Sequence, residues 1–418
     1  MSYSNQIFHI SRDNHSVLSA KNISLEPYTG LREKINTRKT RLYFLKNQVL
    51  ENLSEKRKKI LVKCLILICF ILFVFLVVFF IVLALIPCSI TKCHIRASTC
   101  TNHFFYAECI CDYGYNGNGR DYCDECGLNS KQPNVRVVGG VEALPNSWPS
   151  AAMLITTYKT DYKFKKKSIV IEASFLCGGT LINRKTVLTA AHCILKDFEY
   201  EYKDEILQIK VVPNKYYPTY ESMYKVFLGV HNRTKILADS LTQLNFYSVE
   251  KIVMHEDFQD QSVLNDITIL KLSKLVKLDD NIQIACLPDK KWSIDFPIPK
   301  TPAWILGWGT IKENGPSPST LRNARVTVYH STTCNRVLKY DQKNWESLIC
   351  AGDISGSKDT CQGDSGGSIF VKENVNNKTK FISAGIVSAG EGCGKQFKPG
   401  LYTRIIYYLD WITERSSF

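Results

Sequence analysis

Histidine and acidic residues are both scarce in this chain. Of its 418 residues only 8 are histidine, and 39 Asp and Glu face 53 Lys and Arg, which leaves a formal net charge of +14. The excess is uneven, because residues 1–63 hold 13 Lys and Arg against 5 Asp and Glu, or +8 of the total. A basic excess at one end is typical of a tail and argues against a nucleic-acid-binding body.

Charge is absent altogether from residues 65–86, an apolar run of 22 residues. At about 1.5 Å per residue, a helix of this length crosses a hydrocarbon core of about 30 Å. The basic residues near its two ends are Lys56, Arg57, Lys58, Lys59 and Lys63 before it, and Lys92 and Arg96 after it. This bias predicts a cytosolic N-terminus and an external C-terminus. A cleavable signal peptide is disfavoured, since signal cores have roughly 7–15 apolar residues.

Cysteines are distributed unequally about this apolar run. Of the 16 cysteines, Cys64 and Cys69 lie at its start and the other 14 follow it. Such a density on one side of a membrane indicates an oxidising compartment and a disulfide framework. A zinc site is the alternative, and the few histidines disfavour it.

The first six external cysteines are closely spaced. Their pattern is Cys88-x4-Cys93-x6-Cys100-x8-Cys109-x-Cys111-x11-Cys123, with Gly114, Tyr115, Gly117 and Gly119 in the last loop. The pattern resembles an EGF-like module, and the resemblance implies the pairs Cys88–Cys100, Cys93–Cys109 and Cys111–Cys123. Six cysteines alone permit 15 pairings. The acidic residues of a calcium-binding EGF-like module are missing before Cys88, so we expect no calcium there.

A candidate nucleophile, Ser365, lies in the run Asp359-Thr360-Cys361-Gln362-Gly363-Asp364-Ser365-Gly366-Gly367. A serine hydroxyl is a weak nucleophile until a base takes its proton, and its reaction needs donors for an oxyanion. Glycines beside the serine let backbone N–H groups approach a substrate carbonyl. By itself, the run is also compatible with an ordinary loop.

Two upstream motifs complete a recognisable set. Thr189-Ala190-Ala191-His192-Cys193 follows Cys177-Gly178-Gly179-Thr180-Leu181, and Asn265-Asp266-Ile267-Thr268-Ile269-Leu270 lies between the histidine and the serine. Residues 137–418 resemble a chymotrypsin-fold serine protease of the trypsin-like (S1) family, which uses the order His, Asp, Ser. With its apolar run and EGF-like stem, the chain resembles a type II transmembrane serine protease.

The resemblance implies a serine endopeptidase mechanism. His192 takes the Ser365 proton and later donates it to the leaving amine, while Asp266 fixes the tautomer of the histidine. The backbone N–H groups of Gly363 and Ser365 form the oxyanion hole. Considered singly, His192 is also compatible with a satisfied core histidine, and Asp266 with a cap at a strand start.

The same resemblance places the substrate pocket. Asp359 falls at its base and predicts cleavage after Arg or Lys, since a buried carboxylate needs a cationic partner. Ser388, Gly390 and Gly400 match its walls, and the two glycines leave room for a long basic side chain. Ala389 stands where the family usually has tryptophan, which leaves open the preferences at the second to fourth residues before the cut.

A zymogen switch is implied by Asn134-Val135-Arg136-Val137-Val138-Gly139-Gly140. Cleavage after Arg136 frees an α-amino group on Val137, which by resemblance pairs with Asp364 and orders the pocket. The pairing also removes an objection to Asp364, whose charge beside the nucleophile opposes a developing oxyanion. Because Arg136 suits a pocket with Asp359 at its base, self-activation is one route, and a second protease is the other.

The remaining eight cysteines follow the same resemblance. Cys177–Cys193, Cys334–Cys350 and Cys361–Cys393 match pairs of the protease family, which leaves Cys126 and Cys286. If these two are paired, they tether the stem to the protease, so that a cleaved enzyme stays on the membrane. We expect no metal or cofactor, since the acidic ligands of the family's calcium loop are not evident after Leu228-Gly229-Val230.

The expected protease fold is all-β, with two packed six-stranded antiparallel β-barrels, the triad at their junction and a C-terminal helix near residues 407–414. Two segments exceed the usual length of the family, residues 159–167 and 196–224, and we expect both to be loops beside the cleft. They either restrict access, recognise an acidic patch on a protein substrate, or are plain solvated loops.

The expected layout has five parts. They are a largely disordered basic cytosolic tail at 1–63, a transmembrane signal-anchor helix at 64–86, an EGF-like stem at 88–126, a linker with the activation site at 127–136 and the protease domain at 137–418. Within the tail, the disorder is expected up to about residue 39, and a helix is expected closer to the membrane. The protein is expected in the cell membrane with its catalytic domain outside, and its basic tail is expected to contact membrane lipid. Sequons at Asn232 and Asn377 predict glycans on the outer side.

The expected partners are protein substrates with Arg or Lys before the scissile bond and protein protease inhibitors, and not nucleic acid. The alternative function is a catalytically dead homologue that acts as an adhesion or receptor module through its stem. Such a relic has no physical need to keep every functional position. The retained set, which favours the enzyme, is His192, Asp266, Ser365, Asp359, Asp364 and Arg136.

Overall fold

The computed structural model describes residues 33–85, 87–103, 106–129, 131–133, 140–234, 246–259, 263–338 and 343–416. The predicted cleavage site, Arg136 and Val137, therefore lies outside the described residues. The chain divides into two compact units, residues 1–80 and residues 81–418. The first holds most of one long helix, and the second holds a small disulfide-rich stem and two β-barrels.

The long helix, α1, spans Glu33–Leu85. Among the described residues, it contains the one stretch long and apolar enough to cross a membrane, Lys56–Val82. The tail was expected to be largely disordered up to about residue 39 and helical closer to the membrane, and the helix begins a little earlier, at Glu33. The helix contains no Gly or Pro, and once nucleated it gains one hydrogen bond for each residue added. Residues 1–32 lie outside the described part of the chain.

The stem is built on two small hairpins. Its elements are α2 (Pro87–Ile90), β1 (Ala97–Asn102), β2 (Ala107–Cys111), β3 (Tyr115–Gly117) and β4 (Cys123–Glu125). β1 pairs with β2, and β3 pairs with β4, both antiparallel. Three disulfides cross-link these elements, because strands this short bury too little apolar surface to form a core.

The first barrel closes in the strand order β11, β12, β13, β8, β7, β6. Its strands are β6 (Ala151–Phe164), β7 (Lys167–Asn183), β8 (Thr186–Thr189), β11 (Tyr224–Leu228), β12 (Phe246–Met254) and β13 (Thr268–Leu272). All neighbouring strands are antiparallel. The strands are rich in Val, Ile, Thr and aromatic residues, which suit a pleated surface with one buried face.

The second barrel follows in the chain. Its strands are β14 (Pro302–Gly307), β15 (Arg322–Tyr329), β16 (Leu348–Gly352), β17 (Ser368–Val375), β18 (Lys378–Ala389) and β19 (Gly400–Arg404). They run in the order β14, β17, β18, β19, β16, β15, and pairing of β15 with β14 closes the ring. A short strand, β5 (Val141–Glu142), pairs with the outer edge of β15.

Among the described residues, three short helices accompany the second barrel. They are α3 (Ser331–Cys334), a 3₁₀ turn at Ile405–Tyr408 and the C-terminal helix α4 (Leu409–Ser416). The prediction was an all-β fold of two six-stranded barrels followed by a C-terminal helix. The two closed barrels and the helix Leu409–Ser416 confirm it.

The sequence analysis predicted loops for the two long segments of the first barrel, and this prediction is wrong, because both contain β-hairpins. β6 and β7 continue beyond the barrel to a turn at Lys165 and Lys166, and residues 196–224 contain the hairpin β9 (Phe198–Tyr202) and β10 (Glu205–Ile209). We call residues 158–171 and 198–209 the hairpin arm. Its aromatic side chains alternate with charged ones and pack on one face, as in the pair Phe164–Tyr202 with ring centroids 5.3 Å apart.

The two barrels meet along a seam of buried polar contacts. The N–H of Gly178 on β7 donates to the carbonyl oxygen of Ser365 at 2.7 Å. The hydroxyl of Thr180 lies 2.6 Å from that of Ser368, which in turn lies 2.6 Å from that of Ser383. These contacts fix the two barrels relative to each other at the point where the candidate site lies.

Candidate active site

Three strand ends carry the predicted catalytic side chains to this seam. His192 lies in the 3₁₀ turn Ala191–Cys193 after β8, Asp266 lies just before β13, and Ser365 lies just before β17. The Sγ of Cys193 lies 3.5 Å from the carbonyl oxygen of Ser365, so the histidine segment packs on the serine segment. The first barrel supplies the histidine and the aspartate, and the second supplies the serine.

His192 and Asp266 are held together by two contacts. The Nδ1 of His192 lies 2.7 Å from Oδ2 of Asp266, and the backbone N–H of His192 donates to Oδ1 at 2.9 Å. Asp266 is buried, with 2% of its surface exposed. A carboxylate at Nδ1 favours the proton on that nitrogen, so that Nε2 carries the lone pair and faces away from the aspartate. The arrangement orients an imidazole to act as a base.

Ser388 has a position that the sequence did not reveal. It was expected as a wall of the substrate pocket, and the structure places its hydroxyl 2.5 Å from Oδ2 of Asp266, to which it donates. Thr403 donates its hydroxyl to the backbone carbonyl of the same aspartate at 2.8 Å. The buried carboxylate thus accepts hydrogen bonds from His192 and Ser388, which compensate for its removal from water.

Ser365 lies in a tight turn that requires glycine on its C-terminal side. Gly366 has φ +80°, and a Cβ there would lie 2.2 Å from Oγ1 of Thr189 and 2.6 Å from the carbonyl of Gly178. A side chain would therefore push the turn away from the first barrel. Within the described residues, the backbone N–H groups of Gly363 and Ser365 donate to no group of the chain. Two amide donors therefore remain for a ligand oxygen.

Asp359 lies beside the loop between β18 and β19. One carboxylate oxygen accepts from the N–H of Thr360 and the other from the N–H of Gly394, both at 2.9 Å. Burial raises the pKa of Asp359 to about 6, although the two hydrogen bonds oppose this shift. The disulfide Cys361–Cys393 ties this loop to the segment that carries Asp359. The structure thus brings Asp359 to the loop whose ends are Gly390 and Gly400.

Asp364 lies deeper, between the nucleophile segment and β14. Its Oδ1 accepts from the N–H of Gly309 at 2.7 Å, and its Oδ2 accepts from the N–H of Cys361 at 2.9 Å. Burial raises the pKa of Asp364 to about 6, and the negative charge of Asp359 raises it further. The hydrogen bonds from Cys361 and Gly309 oppose this shift. In the described part of the chain Asp364 forms no salt bridge. Asp364 and Gly140 both line a cavity of about 60 Å³.

All fourteen cysteines that follow the long helix are bonded in the structure. The seven pairs are Cys88–Cys100, Cys93–Cys109, Cys111–Cys123, Cys126–Cys286, Cys177–Cys193, Cys334–Cys350 and Cys361–Cys393. The first three pairs and the last three are those that the family resemblances imply, and Cys126–Cys286 joins the two cysteines that the resemblances left over. Among the described residues, the one cluster with metal-ligand spacing is Cys93, Cys100 and Cys109, and its sulfurs are engaged in these disulfides. Cys64 and Cys69 are unpaired and exposed.

The two predicted glycosylation sites are both at turns. The side-chain oxygen of Asn232 accepts from the N–H and the hydroxyl of Thr234, which forms a compact local turn. Asn377 lies in the turn between β17 and β18, has φ +60° and is exposed. Asn377 is therefore the more accessible of the two acceptors.

Comparison with known proteins supports this geometry. The sequence profile of the trypsin family matches residues 137–412. Transmembrane protease serine 11G from Rattus norvegicus is 31% identical over 293 residues, which are 70% of this chain and 58% of that protein. The protein of the same name from Mus musculus is 32% identical over 294 residues, with the same two shares. The chain thus matches 58% of the length of these two relatives.

A third relative is not named as a transmembrane protease. The proclotting enzyme of Tachypleus tridentatus is 32% identical over 289 residues, which are 69% of this chain and 68% of that protein. The profile match covers both barrels and all three strand ends described above, so the shared region is the part of the chain that builds the site.

Proposed function

Given that the chain belongs to the trypsin family, we propose that it is a membrane-anchored serine endopeptidase, made as a zymogen, that cleaves proteins after Arg or Lys. The observation that carries this proposal is the buried Asp266 carboxylate 2.7 Å from Nδ1 of His192, at the same barrel junction as Ser365. An aspartate in this position both orients the imidazole and stabilises the imidazolium that forms when it takes a proton.

In the proposed reaction, His192 removes the proton of the Ser365 hydroxyl as its oxygen attacks the scissile carbonyl carbon. The carbonyl oxygen becomes an oxyanion, which the N–H groups of Gly363 and Ser365 stabilise. His192 then gives its proton to the departing amine, and an acyl ester on Ser365 remains. Water, deprotonated by the same histidine, attacks the ester carbon. The bond to Ser365 Oγ breaks, His192 returns the proton to that oxygen, and the acid is released.

Specificity for Arg or Lys is supported by the surroundings of Asp359. Its carboxylate accepts only backbone hydrogen bonds, and among the described residues no cation pairs with it. A substrate guanidinium or ammonium would supply the missing charge. An added Cβ at Gly390 would lie 3.6 Å from the carbonyl oxygen of Gly392, an ordinary contact. Packing within the chain does not require glycine there, which supports an opening for the substrate side chain.

Zymogen activation is supported by the surroundings of Asp364. Val137 is three residues from Gly140, a span of at most about 10 Å, and Gly140 lines the same cavity as the carboxylate. A new α-ammonium group on Val137 would place a positive charge beside a carboxylate that is largely ionised above pH 6. We propose cleavage between Arg136 and Val137 as the event that creates it.

The membrane arrangement is part of the same proposal. It comprises a cytosolic basic tail at 1–63, a signal anchor at 64–86, an EGF-like stem at 88–126, a linker at 127–136 and an extracellular protease domain at 137–418. The apolar stretch Lys56–Val82 and the relatives named as transmembrane proteases support an anchor.

Glycans at Asn232 and Asn377 would report an external location, and removal of N-glycans should increase the gel mobility of a chain made in mammalian cells. Anionic lipid at the tail and protein inhibitors at the cleft are the further proposed partners.

The test uses the full-length chain in detergent, before and after cleavage at Arg136, with Ser365→Ala as the control. We expect hydrolysis of Arg and Lys peptides only after the cut, with a new N-terminus at Val137, and none by the Ser365→Ala chain. An inactive chain with the correct N-terminus and intact disulfides would reject the enzyme in favour of the binding homologue. Strong turnover of Phe or Leu peptides and none of Arg peptides would reject the proposed specificity alone.

A further inference from the structure

The two most exposed large apolar side chains of the described residues both lie at the start of the stem. Ile95 is 91% exposed and Ile90 is 77% exposed. The next most exposed is Phe75, which belongs to the apolar stretch proposed as the membrane anchor. Apolar side chains that face outward together at one end of a domain indicate an interaction surface, whereas scattered single ones do not.

The exposure of Ile95 results from a turn that is fixed by hydrogen bonds. The N–H of Ala97 donates to the carbonyl oxygen of His94 at 2.9 Å, which places Ile95 at a corner of the turn. The N–H of His94 donates to the carbonyl oxygen of Gly119 at 2.8 Å, so the turn is also attached to the loop between β3 and β4. The fold of the stem therefore presents this isoleucine outward.

Ile90 lies in a segment that is held at both ends by disulfides. It is the last residue of α2, between Cys88 and Cys93. Cys88 is bonded to Cys100 on β1, and Cys93 is bonded to Cys109 on β2. The two isoleucines thus belong to one cross-linked part of the stem.

The charges around these isoleucines suit a phospholipid surface. No Asp or Glu occurs in the chain between Glu55 and Glu108. Lys92 and Arg96 lie beside the isoleucines and are exposed, and the Cζ of Arg96 lies 5.1 Å from the centre of the Tyr115 ring. Lipid phosphate groups attract such cations, and apolar side chains next to them enter the boundary between headgroups and acyl chains.

The length of the connecting chain keeps this segment near the membrane. The apolar stretch ends at Val82 and helix α1 ends at Leu85, which is five residues before Ile90 and ten before Ile95. Since an extended chain spans at most about 3.6 Å per residue, Ile90 lies within about 18 Å of the helix end. The headgroup layer is about 5–8 Å thick on each side of the hydrocarbon core, so a segment tethered this closely can lie in it.

We propose that Ile90 and Ile95 insert into the headgroup region of the outer leaflet, with Lys92 and Arg96 on the lipid phosphates. The stem then lies on the bilayer surface and does not stand free of it. The inference rests on the membrane arrangement of the proposed function and adds a second, interfacial contact to the anchor. The partner is the lipid surface, and the alternatives that the test distinguishes are a second copy of the chain and another protein.

Such a contact would also restrain the protease domain. The stem is bonded to that domain through Cys126–Cys286. The guanidinium of Arg184, in the turn between β7 and β8, donates to both carboxylate oxygens of Asp124 on β4 at 2.7 and 2.8 Å. A stem held on the bilayer at one end and on the protease at the other would limit the tilt of the catalytic domain relative to the membrane.

The test is hydroxyl-radical footprinting of the full-length wild-type chain, with one molecule in each phospholipid nanodisc. For one residue type, the oxidation rate follows the exposure of the side chain to water. Ile206 on β10, which is 67% exposed, is therefore an internal reference of the same chemistry. Ile95 should be oxidised at least about fivefold more slowly than Ile206, although it is the more exposed of the two in the protein alone.

Two outcomes of the footprinting would overturn the proposal. One is equal oxidation of Ile95 and Ile206 in nanodiscs, which would show that no lipid covers the turn. The other is protection of Ile95 in intact cells together with free oxidation in nanodiscs, because a second copy or another protein would then cover it. A nanodisc that holds one chain offers lipid alone.

A second measurement uses tryptophan fluorescence and lipids whose acyl chains are brominated near the headgroup. Ile95→Trp places a probe at the turn, and the wild-type chain supplies the baseline, because its six tryptophans all lie between residues 148 and 411. The added fluorescence should fall by about half or more. The matched control is Ile298→Trp, at an exposed position of the protease domain, whose added fluorescence should not change. Equal quenching of the two probes, or none of either, would contradict the proposal.

A probe in the long helix separates this inference from the membrane arrangement on which it rests. Phe75→Trp lies within the apolar stretch Lys56–Val82, so bromine deep in the acyl chains should quench its added fluorescence. Quenching at position 75 and none at position 95 rejects the stem contact alone. No quenching at either position rejects the proposed anchor, and this inference with it.

Discussion

Lys380 and Glu125 join the second barrel to the stem through an ion pair whose cation is buried. The Nζ of Lys380 lies 3.1 Å from Oε1 of Glu125, and the lysine side chain is 1% exposed. The same ammonium donates to the carbonyl oxygen of Gly114 at 3.0 Å and lies 5.6 Å from the centre of the Tyr115 ring. Burial lowers the pKa of Lys380, and the contacts with Glu125 oppose this shift. A buried cation of the protease thus depends on the stem for its counter-charge.

The consequence for stability can be tested with Glu125→Gln. The substitution keeps the shape of the side chain and leaves the Lys380 cation buried without its counter-ion, so the free energy of unfolding should fall by about 1–3 kcal/mol. Urea denaturation followed by tryptophan fluorescence measures this loss. Lys380→Met should cost less, because it removes the buried charge itself.

The matched control for this pair is Lys378→Met. Lys378 also contacts Glu125, at 3.0 Å, but its side chain is 61% exposed. An exposed pair contributes about 0–1 kcal/mol, so the loss should be within that range. Losses of equal size in Glu125→Gln and Lys378→Met would show that the buried position of Lys380 does not matter.

The disulfide Cys126–Cys286 should keep the two halves of a cleaved chain together. After cleavage at Arg136, the wild-type protein should run as one species on a non-reducing denaturing gel and as two under reducing conditions. The variant with both Cys126→Ser and Cys286→Ser should separate without reductant. Separation of the cleaved wild-type protein without reductant would contradict the bond that the structure contains.

Ser388 should act by positioning Asp266. Its hydroxyl donates to the carboxylate, and a hydrogen bond to a charged group contributes about 1.5–3 kcal/mol. Ser388→Ala should therefore lower kcat/KM for an Arg peptide by about 10- to 100-fold. Ser383→Ala is the control, since it lies on the same strand and its hydroxyl contacts Ser368. An equal kinetic defect in both variants would indicate a general disturbance of β18.

Binding of a cation at Asp359 should depend on pH in a defined direction. The pKa of this carboxyl is raised to about 6 by burial, so its ionised fraction increases as the pH rises from 5 to 7. The affinity for benzamidine, a planar cation that needs no proton transfer from His192, should rise over this range and level off above it. The measurement is the inhibition constant at each pH with the activated chain.

Without ligand, the contribution of Asp359 to the free energy of unfolding should change with pH in the opposite direction to the affinity for benzamidine. Because the folded pKa of Asp359 exceeds its ordinary value of 3.8, the protonated form adds stability at low pH that is lost as the pH rises through about 6.

In Asp359→Asn the pH dependence of benzamidine binding should disappear and the affinity should be low throughout. A pH-independent affinity in the wild-type protein would contradict the assignment of this carboxylate.

Local sequence patterns anticipated the site better than they anticipated the segments around it. The motifs around His192, Asp266 and Ser365 each placed one residue at a strand end, and the structure brings these ends to one junction. The sequence analysis predicted a helix only beyond about residue 39, and it predicted loops for the hairpin arm. The structure instead contains a helix from Glu33 onward and two β-hairpins in the arm. Charged side chains concealed the start of the helix in one case and an alternating aromatic face in the other.

The sequence by itself determined the chemistry available to this protein, because nucleophile, base, acid and cysteines are readable as residue types in a fixed order along the chain. It also determined the apolar helix, which depends only on a continuous run of uncharged residues. Tertiary structure alone decided which groups far apart in the sequence form an ion pair or a hydrogen bond. Ser388 reaches Asp266 across 122 residues, and Lys380 is buried against Glu125 of the stem. Such contacts leave no local periodicity, since they arise only when the strands of two barrels and a stem pack together.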